Sequence, residues 1–414
     1  MREMKDSGIP WLGAIPSTWN CIRGKYILRY ITKPVREDDG VITCFRDGEV
    51  TLRSKRREEG FTMADKEIGY QGIDVGDLVV HGMDGFAGAI GISDSRGKAS
   101  PVLNVLDSKQ NKKYLMYYLR SMAYGNVFLA LSTGIRVRSC DLRWNKLAEI
   151  RYPVPSLEDQ EKITNYLDCK CEEIDKLIVD IQAQIDTLEQ YKRSQIAEAV
   201  TKGLAPNEHL KESGLAWIGN IPNHWEVMPN KYLMKKLKLI QPVYAGEDII
   251  SLTVNGVIKR DLDNPSGKMP ASFDGYQFVY PGNLLMCLFD IDVTPRCIGL
   301  IKDFGLTSPA YSQFVLNSKA DAGYYYYYYL NLDFNKDLLH LAKNQRHSLN
   351  EEQFGAIPTV VPPVGEQKAI AAYLDEKCAE IDGCIAAKKE QISALEAYKK
   401  SVIFEYVTGK KEVV

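Results

Sequence analysis

Two long stretches of the chain carry apolar residues in a heptad pattern. In the first, Leu167, Cys171, Ile174, Ile178, Ile181, Ile185 and Leu188 follow one another in steps of four and three. The residues between them are mostly Glu, Asp, Lys and Gln, and no Pro or Gly occurs between Pro155 and Gly203. This pattern predicts a helix of roughly 45 residues, about 67 Å long, with a narrow apolar seam that needs a partner. The second stretch repeats the seam at Leu374, Cys378, Ile381, Ile385, Lys388, Ile392 and Leu395, in a helix from near Gly365 to about Gly409. Each helix is the obvious partner for the other, and a twofold relation between two copies runs them antiparallel. Lys388 breaks the second seam. The simpler reading is a lysine snorkelling out at the edge of the pair, and the alternative is a polar residue that sets register.

Before each helix the pattern shortens. Apolar runs such as GDLVVHG (76–82) and GNLLMCLF (282–289) are bounded by turn residues, as strands are. KYLMYYLRSM (113–122) and YYYYYYLNLDF (324–334) read as half-buried helices. The six tyrosines Tyr324 to Tyr329 suggest base stacking. Amphipathic rings divided between core and surface are the stronger reading. The two middles, about 20–152 and 226–357, therefore predict mixed α/β domains.

The chain repeats itself. SGIPWLGAIPSTW (7–19) returns as SGLAWIGNIPNHW (213–225), with Ser7, Gly8, Trp11, Gly13, Ile15, Pro16 and Trp19 matched at an offset of 206 residues, 213 − 7. Lys25 and Tyr26 recur as Lys231 and Tyr232. PSLEDQEKITNYLDCKCEEID returns as PPVGEQKAIAAYLDEKCAEID, with Gln160 matched by Gln367. Tyr70-Gln71 corresponds to Tyr276-Gln277, and Gly76-Asp77-Leu78 to Gly282-Asn283-Leu284. Similar ends and diverged middles, twice over, suit a scaffold that recognises two related but different things. The expected division is 1–152, 153–204, 205–357 and 358–414.

Composition narrows the classes. The 414 residues are 45% hydrophobic and 26% charged, ordinary for a folded protein, and no run of about 18 apolar residues is present. The N-terminus MREMKDSGIPWLG has no apolar segment of the secretory type. A cytoplasmic protein with no membrane span is the expectation. The net charge of −2 does not single out nucleic acid, although local patches bind DNA and totals do not. Nine cysteines carry no CxxC pair, and none of the five histidines is spaced with them for zinc. Reduced thiols are expected.

The search for catalytic motifs returns nothing. There is no GxxxxGK[ST], no strand–GxGxxG–helix unit, no Asn/Asp-Pro-Pro-aromatic motif, and no HExxH or GxSxG. GMDGFAGAIG (82–91) reads as a turn beside a strand. A chain without catalysis, cofactor or metal is expected. Three basic or polar segments remain: Arg53, Lys55, Arg56 and Arg57; Ser132, Thr133, Arg136 and Arg138; and Lys343, Asn344, Gln345, Arg346 and His347. Such side chains hold phosphates and read base edges. A short basic run is ordinarily a solvated surface. Here, however, the last two runs sit at equivalent places in a duplicated module, which favours DNA.

The two WLGxIPxxW-like motifs and the two PxxxxQ-headed helices, in this order over essentially the whole chain, resemble the specificity subunit of type I restriction–modification systems. The resemblance implies two mixed α/β target recognition domains, each reading one half of a bipartite double-stranded DNA site. They would be separated by two long helices forming an antiparallel coiled coil with pseudo-twofold symmetry. It also implies docking of two methyltransferase subunits and a restriction/translocase subunit, with S-adenosylmethionine and ATP bound by those partners. The second domain departs from the first where CLFDIDVTPRCIG faces GMDGFAGAIG. The alternative is a non-catalytic duplicated coiled-coil scaffold that binds protein only.

Overall fold

The structure is a computed structural model that describes residues 2–56, 67–131, 142–206, 208–265, 269–342 and 347–413. It divides into two units, Met1–Ile181 with Lys389–Val414, and Gln182–Lys388. Each unit holds one α/β module and a part of both long helices.

The long helices are Leu157–Lys202, of 46 residues, and Val364–Val407, of 44 residues, close to the bounds that the spacing predicts. The seam is buried at Leu167, Cys171, Ile174 and Ile185 and at Leu374, Cys378, Ile381 and Ile385. Within each unit the helices run in opposite directions. In the first unit, Tyr166 packs at a tilt against Tyr406 with 4.4 Å between ring centroids, and Lys399 Nζ holds Asp175 at 2.6 Å. In the second, Tyr373 donates to Gln195 (2.9 Å) and Lys192 holds Asp382 (2.6 Å). Lys388 there keeps its stem in the half-buried seam and donates Nζ to Gln184 Oε1 at 2.5 Å, which is a snorkelling geometry with one fixed partner.

The modules share one topology. In the first, a four-stranded antiparallel sheet runs Leu28–Tyr30, Leu103–Ser108, Leu78–His81, Ile90–Ile92. In the second, Met234–Leu237, Ser312–Leu316, Leu284–Met286 and Ile298–Leu300 take the same order. Each sheet is joined by two hairpin-like pairs. One pair is Ile42–Cys44 with Val50–Leu52, matched by Ile250–Thr253 with Gly256–Lys259. The other is Gln71–Ile73 with Gly97–Ala99, matched by Gln277–Val279 with Gly305–Thr307. Glycine lets the backbones close here. A Cβ at Gly97 would lie 2.5 Å from the Gly40 carbonyl oxygen, and one at Gly305 would lie 2.4 Å from that of Asp248.

The helices Lys112–Tyr124 and Ala322–Phe334 lock each module to the long helices. The repeated glutamine makes that lock. Gln160 is fully buried; its Oε1 accepts from Asn111 N (2.9 Å), and its Nε2 donates to Pro155 O (3.0 Å) and Gln110 Oε1 (2.7 Å). Gln367 likewise accepts from Asp321 N (2.7 Å) and donates to Pro362 O (2.8 Å) and Lys319 O (2.9 Å). Asn111 and Asp321 are the N-caps of the two module helices, so each glutamine ties a cap to the head of a long helix.

The repeated tryptophan motif closes the other end. Gly203, just past the first long helix, takes a left-handed φ of +76°, and a Cβ there would sit 3.2 Å from Trp225. Gly409, past the second, has φ +70° against Pro16 and Trp19. The second copy of the motif thus covers the end of the first helix, and the first copy covers the end of the second. Buried tyrosines take up late helical carbonyls: Tyr324 donates to Val200 O (3.0 Å) and Tyr114 to Val407 O (2.8 Å).

The tyrosine run differs from expectation. Five of the six, Tyr324, Tyr325, Tyr327, Tyr328 and Tyr329, are buried, and only Tyr326 is half-buried. The module's sheet lies on one side of the helix and the long helices lie on the other. Four of the buried hydroxyls find acceptors at Val200, Val360, Asp375 and Asn230. Rings enclosed in this way are not a stacking platform for bases. No helix of the described residues is long and apolar enough to cross a membrane.

Candidate nucleic-acid interface

In the first module a cleft of about 850 Å³ opens between the hairpin Ile42–Cys44/Val50–Leu52 and the end of strand Leu78–His81. Its walls include Phe45, Arg46, Arg53, Arg56, Tyr70 and His81. The hairpin ends in a helical turn, Arg53–Arg56, which places the first basic run on the rim. Arg53 Nε donates to Thr43 Oγ1 (3.3 Å), and Lys55 Nζ reaches Ser95 Oγ (2.7 Å) and Asp94 (3.3 Å). Arg56 pairs with Asp47 (2.6 Å) and Glu49 (2.9 Å), and its guanidinium lies 4.1 Å from the Phe45 ring centroid. Burial by itself would raise the carboxyl pKa of Asp47, but Arg56, the Glu49 N–H and Arg120 together hold it below the usual carboxylate range. This rim is rich in cations whose charge is locally compensated.

The frame on which the second and third basic segments are mounted is the same in both modules. After residues 132–141 the first chain segment rejoins the fold where Leu142 N donates to Gly82 O at 2.8 Å, and Asn104 Nδ2 holds Leu142 O at 3.0 Å. After residues 343–346 the second segment rejoins where Leu349 N donates to Leu288 O at 2.8 Å. Gly82 and Leu288 are 206 residues apart, 288 − 82, and Leu142 and Leu349 are 207 apart, 349 − 142. Both segments thus return beside the third strand of the module's sheet, and in the first module that point adjoins the cleft.

No family model matches the chain. Among curated relatives, the type I restriction enzyme MjaVIII specificity subunit of Methanocaldococcus jannaschii is 26% identical over 426 residues, covering 96% of this chain and 94% of the relative. The putative MjaX specificity subunit of the same organism is 24% identical, covering 75% of this chain and 72% of the relative. A chain from a solved structure of a type I restriction–modification system, from work on complex assembly and conformational transition, shares the fold. It is 13% identical at a TM-score of 0.69, covering 96% of this chain and 99% of that one.

Over nearly its whole length the chain is similar to specificity subunits of type I restriction–modification systems. What each module presents to a ligand is therefore the place to look for function. Of the residues that the sequence singles out, Arg53 and Arg56 line the cleft, and Lys55 lies in the same helical turn. Arg57, Ser132, Thr133, Arg136, Arg138, Lys343, Asn344, Gln345 and Arg346 lie outside the described residues. His347 is described; its carbonyl accepts from Ile291 N at 3.2 Å, and its backbone has φ +44°.

Sequence reasoning missed Arg46, Tyr70 and His81 as lining of the cleft. The one available signal was that GDLVVHG ends a strand at a polar residue followed by a turn. Among the described residues no group of three or more His, Cys, Asp or Glu side chains is placed to hold a metal. The described cysteines are free thiols, and burial pushes that of Cys44 up to about 12.

Proposed function

We propose that each module reads one half of a bipartite double-stranded DNA site, with 1–152 and 205–357 as the two target recognition regions. The long helices, 153–204 and 358–414, act as an antiparallel coiled coil that spaces the modules and docks two methyltransferase subunits; a restriction/translocase subunit joins the same assembly. This chain supplies recognition and no catalysis, its partners bind S-adenosylmethionine and ATP, and it works in the cytoplasm.

One observation carries the reading. Two diverged segments rich in Arg, Lys, Asn and Gln rejoin their modules through the same backbone hydrogen bond, Leu142 to Gly82 and Leu349 to Leu288. Duplication has kept the mounting and varied what is mounted, which is what two readers of different sequences require. The basic run Arg53–Arg57 would add phosphate contacts, as would Arg136, Arg138, Lys343 and Arg346; Ser132, Thr133, Asn344 and Gln345 suit base edges or phosphates.

The test is exchange of residues 226–357 for the equivalent region of a related subunit, followed by sequencing of methylated adenines. One half of the methylated site should change and the other should stay. A change in both halves, or in neither, would overturn the modular reading.

A further inference from the structure

The turn after strand Leu78–His81 fixes the imidazole of His81. The backbone N–H groups of Met83 and Asp84 both donate to His81 Nδ1, at 3.2 and 3.0 Å. A ring nitrogen that accepts two hydrogen bonds carries no proton, so neutral His81 is the Nε2–H tautomer. Burial pushes the imidazole pKa down; Asp84 opposes this and Arg46 adds to it, with the net effect downward. At neutral pH the ring is therefore uncharged, and Nε2 can only donate. No acceptor among the described residues takes that proton, and the ring lines the cleft.

The two carboxylates of the cleft are engaged by its own cations. Asp47 is held by Arg56, and Asp84 by Arg46 at 2.9 Å. Arg46 spends one N–H there and has four more. Among the described residues this end of the cleft thus sets the His81 Nε2–H beside the remaining N–H groups of Arg46. We infer that His81 is a specificity-determining residue of the first module, donating from Nε2 to the major-groove edge of a guanine. Guanine presents two acceptors side by side, N7 and O6. Adenine sets an amino donor beside its N7, cytosine presents an amino donor, and thymine sets a methyl group beside a single acceptor, so only guanine offers acceptors to both the His81 donor and a neighbouring Arg46 N–H. In the second module Cys287 stands at the matching position, 206 residues on (287 − 81), and its Sγ lies 3.3 Å from Phe289 O. The donor therefore serves one half-site only. This inference rests on the DNA-reading role proposed above.

The experiment uses the full chain in complex with its methyltransferase subunits, on duplexes carrying the target read from methylated adenines. Each guanine is replaced in turn by 7-deazaguanine, which has C–H in place of N7. The wild-type complex should lose about tenfold in affinity at one guanine of the half-site read by the first module. His81→Asn keeps a side-chain oxygen for the turn N–H groups but withdraws the outward donor. It should bind about tenfold more weakly, be indifferent to that same deaza substitution, and respond normally at the other half-site. His81→Leu, which has no donor at all, is a second variant judged in the same way. A wild-type complex that loses nothing at any guanine, or variants whose losses simply add to the deaza loss, would overturn the assignment. A wild-type complex that does not distinguish its target from scrambled DNA would instead overturn the DNA-reading role itself.

Discussion

Replacing Gln160 with leucine keeps the side-chain volume and removes the clamp between the first module and the head of its long helix. Three hydrogen bonds go: Asn111 N to Oε1, and Nε2 to Pro155 O and to Gln110 Oε1. At a net 0.5–1.5 kcal/mol each, their loss costs about 3 kcal/mol. The site is fully buried, so the Asn111 N–H and the Pro155 carbonyl are left without water or partner, which moves the sum toward about 4 kcal/mol. Urea unfolding would measure the loss, and amide exchange over Lys112–Tyr124 would place it at that helix. Gln160→Glu refines the test. Its carboxylate can still accept from Asn111 N, but at neutral pH it turns bare oxygens on two acceptors. Burial and those acceptors must raise its folded-state pKa above the unfolded value near 4.3. The penalty is then present above the folded-state pKa and vanishes as pH falls below the unfolded one, because the protonated acid can donate. A Gln160→Leu loss under about 1 kcal/mol, or a Gln160→Glu penalty equal at pH 5 and pH 8, would refute the clamp.

Three further outcomes are expected. Gly409→Ala, at φ +70° with a Cβ 2.5 Å from Pro16 Cδ, should cost about 2–3 kcal/mol in thermal unfolding; Gly203→Ala, at φ +76° and 3.2 Å from Trp225, should cost about 1 kcal/mol. Arg96 holds the buried Asp39 and the half-exposed Asp74, each at 2.7 Å, so Arg96→Met should cost about 3 kcal/mol at pH 7, chiefly by leaving Asp39 unpaired. Hydrogen bonds from Arg96 hold Asp39 below its usual range, and those from Lys33 and Arg96 bring Asp74 to about 2. The stability they add is complete above about pH 4 and fades as pH falls toward 2; the variant should lose the share that Arg96 supplies to both carboxylates and keep the share that Lys33 gives Asp74, in a pH series of unfolding curves. Arg136→Ala with Arg138→Ala should weaken DNA binding by the assembled complex and lower its salt slope by ~1 per lost phosphate contact; equal slopes would make these arginines ordinary surface.

The long helices were legible because heptad spacing is local and Pro155, Gly203 and Gly409 punctuate it. Strands such as Leu78–His81 were legible for the same reason, since short apolar runs lie between turn residues. The chemistry of the cleft was not. Arg56 looked like a phosphate ligand in a run of cations, yet its carboxylate partners, Asp47 and Glu49, lie across a hairpin. Lys55 finds Asp94, 39 residues away. No spacing rule reports such pairs. The tyrosine run was misjudged as half exposed because its sequence is apolar on every side. Such a pattern says that a helix is enclosed and does not say by what.

By itself the sequence determined that this protein is one unit written twice, with each copy ending in a long helix that needs a partner. Repeats and periods are properties of order along the chain, and they survive without any knowledge of distance. Only the tertiary structure decided what the repeated residues are for. Gln160 and Gln367 became clamps because folding brings a module's N-cap, some 50 residues earlier, within hydrogen-bond range of the helix head. The two tryptophan motifs became covers for the ends of helices, the first for a helix whose last turn is nearly 400 residues away. His81 became a fixed donor because a two-residue turn folds back onto one of its nitrogens. Hydrogen bonds act over about 3 Å, and only the folded backbone places groups that close.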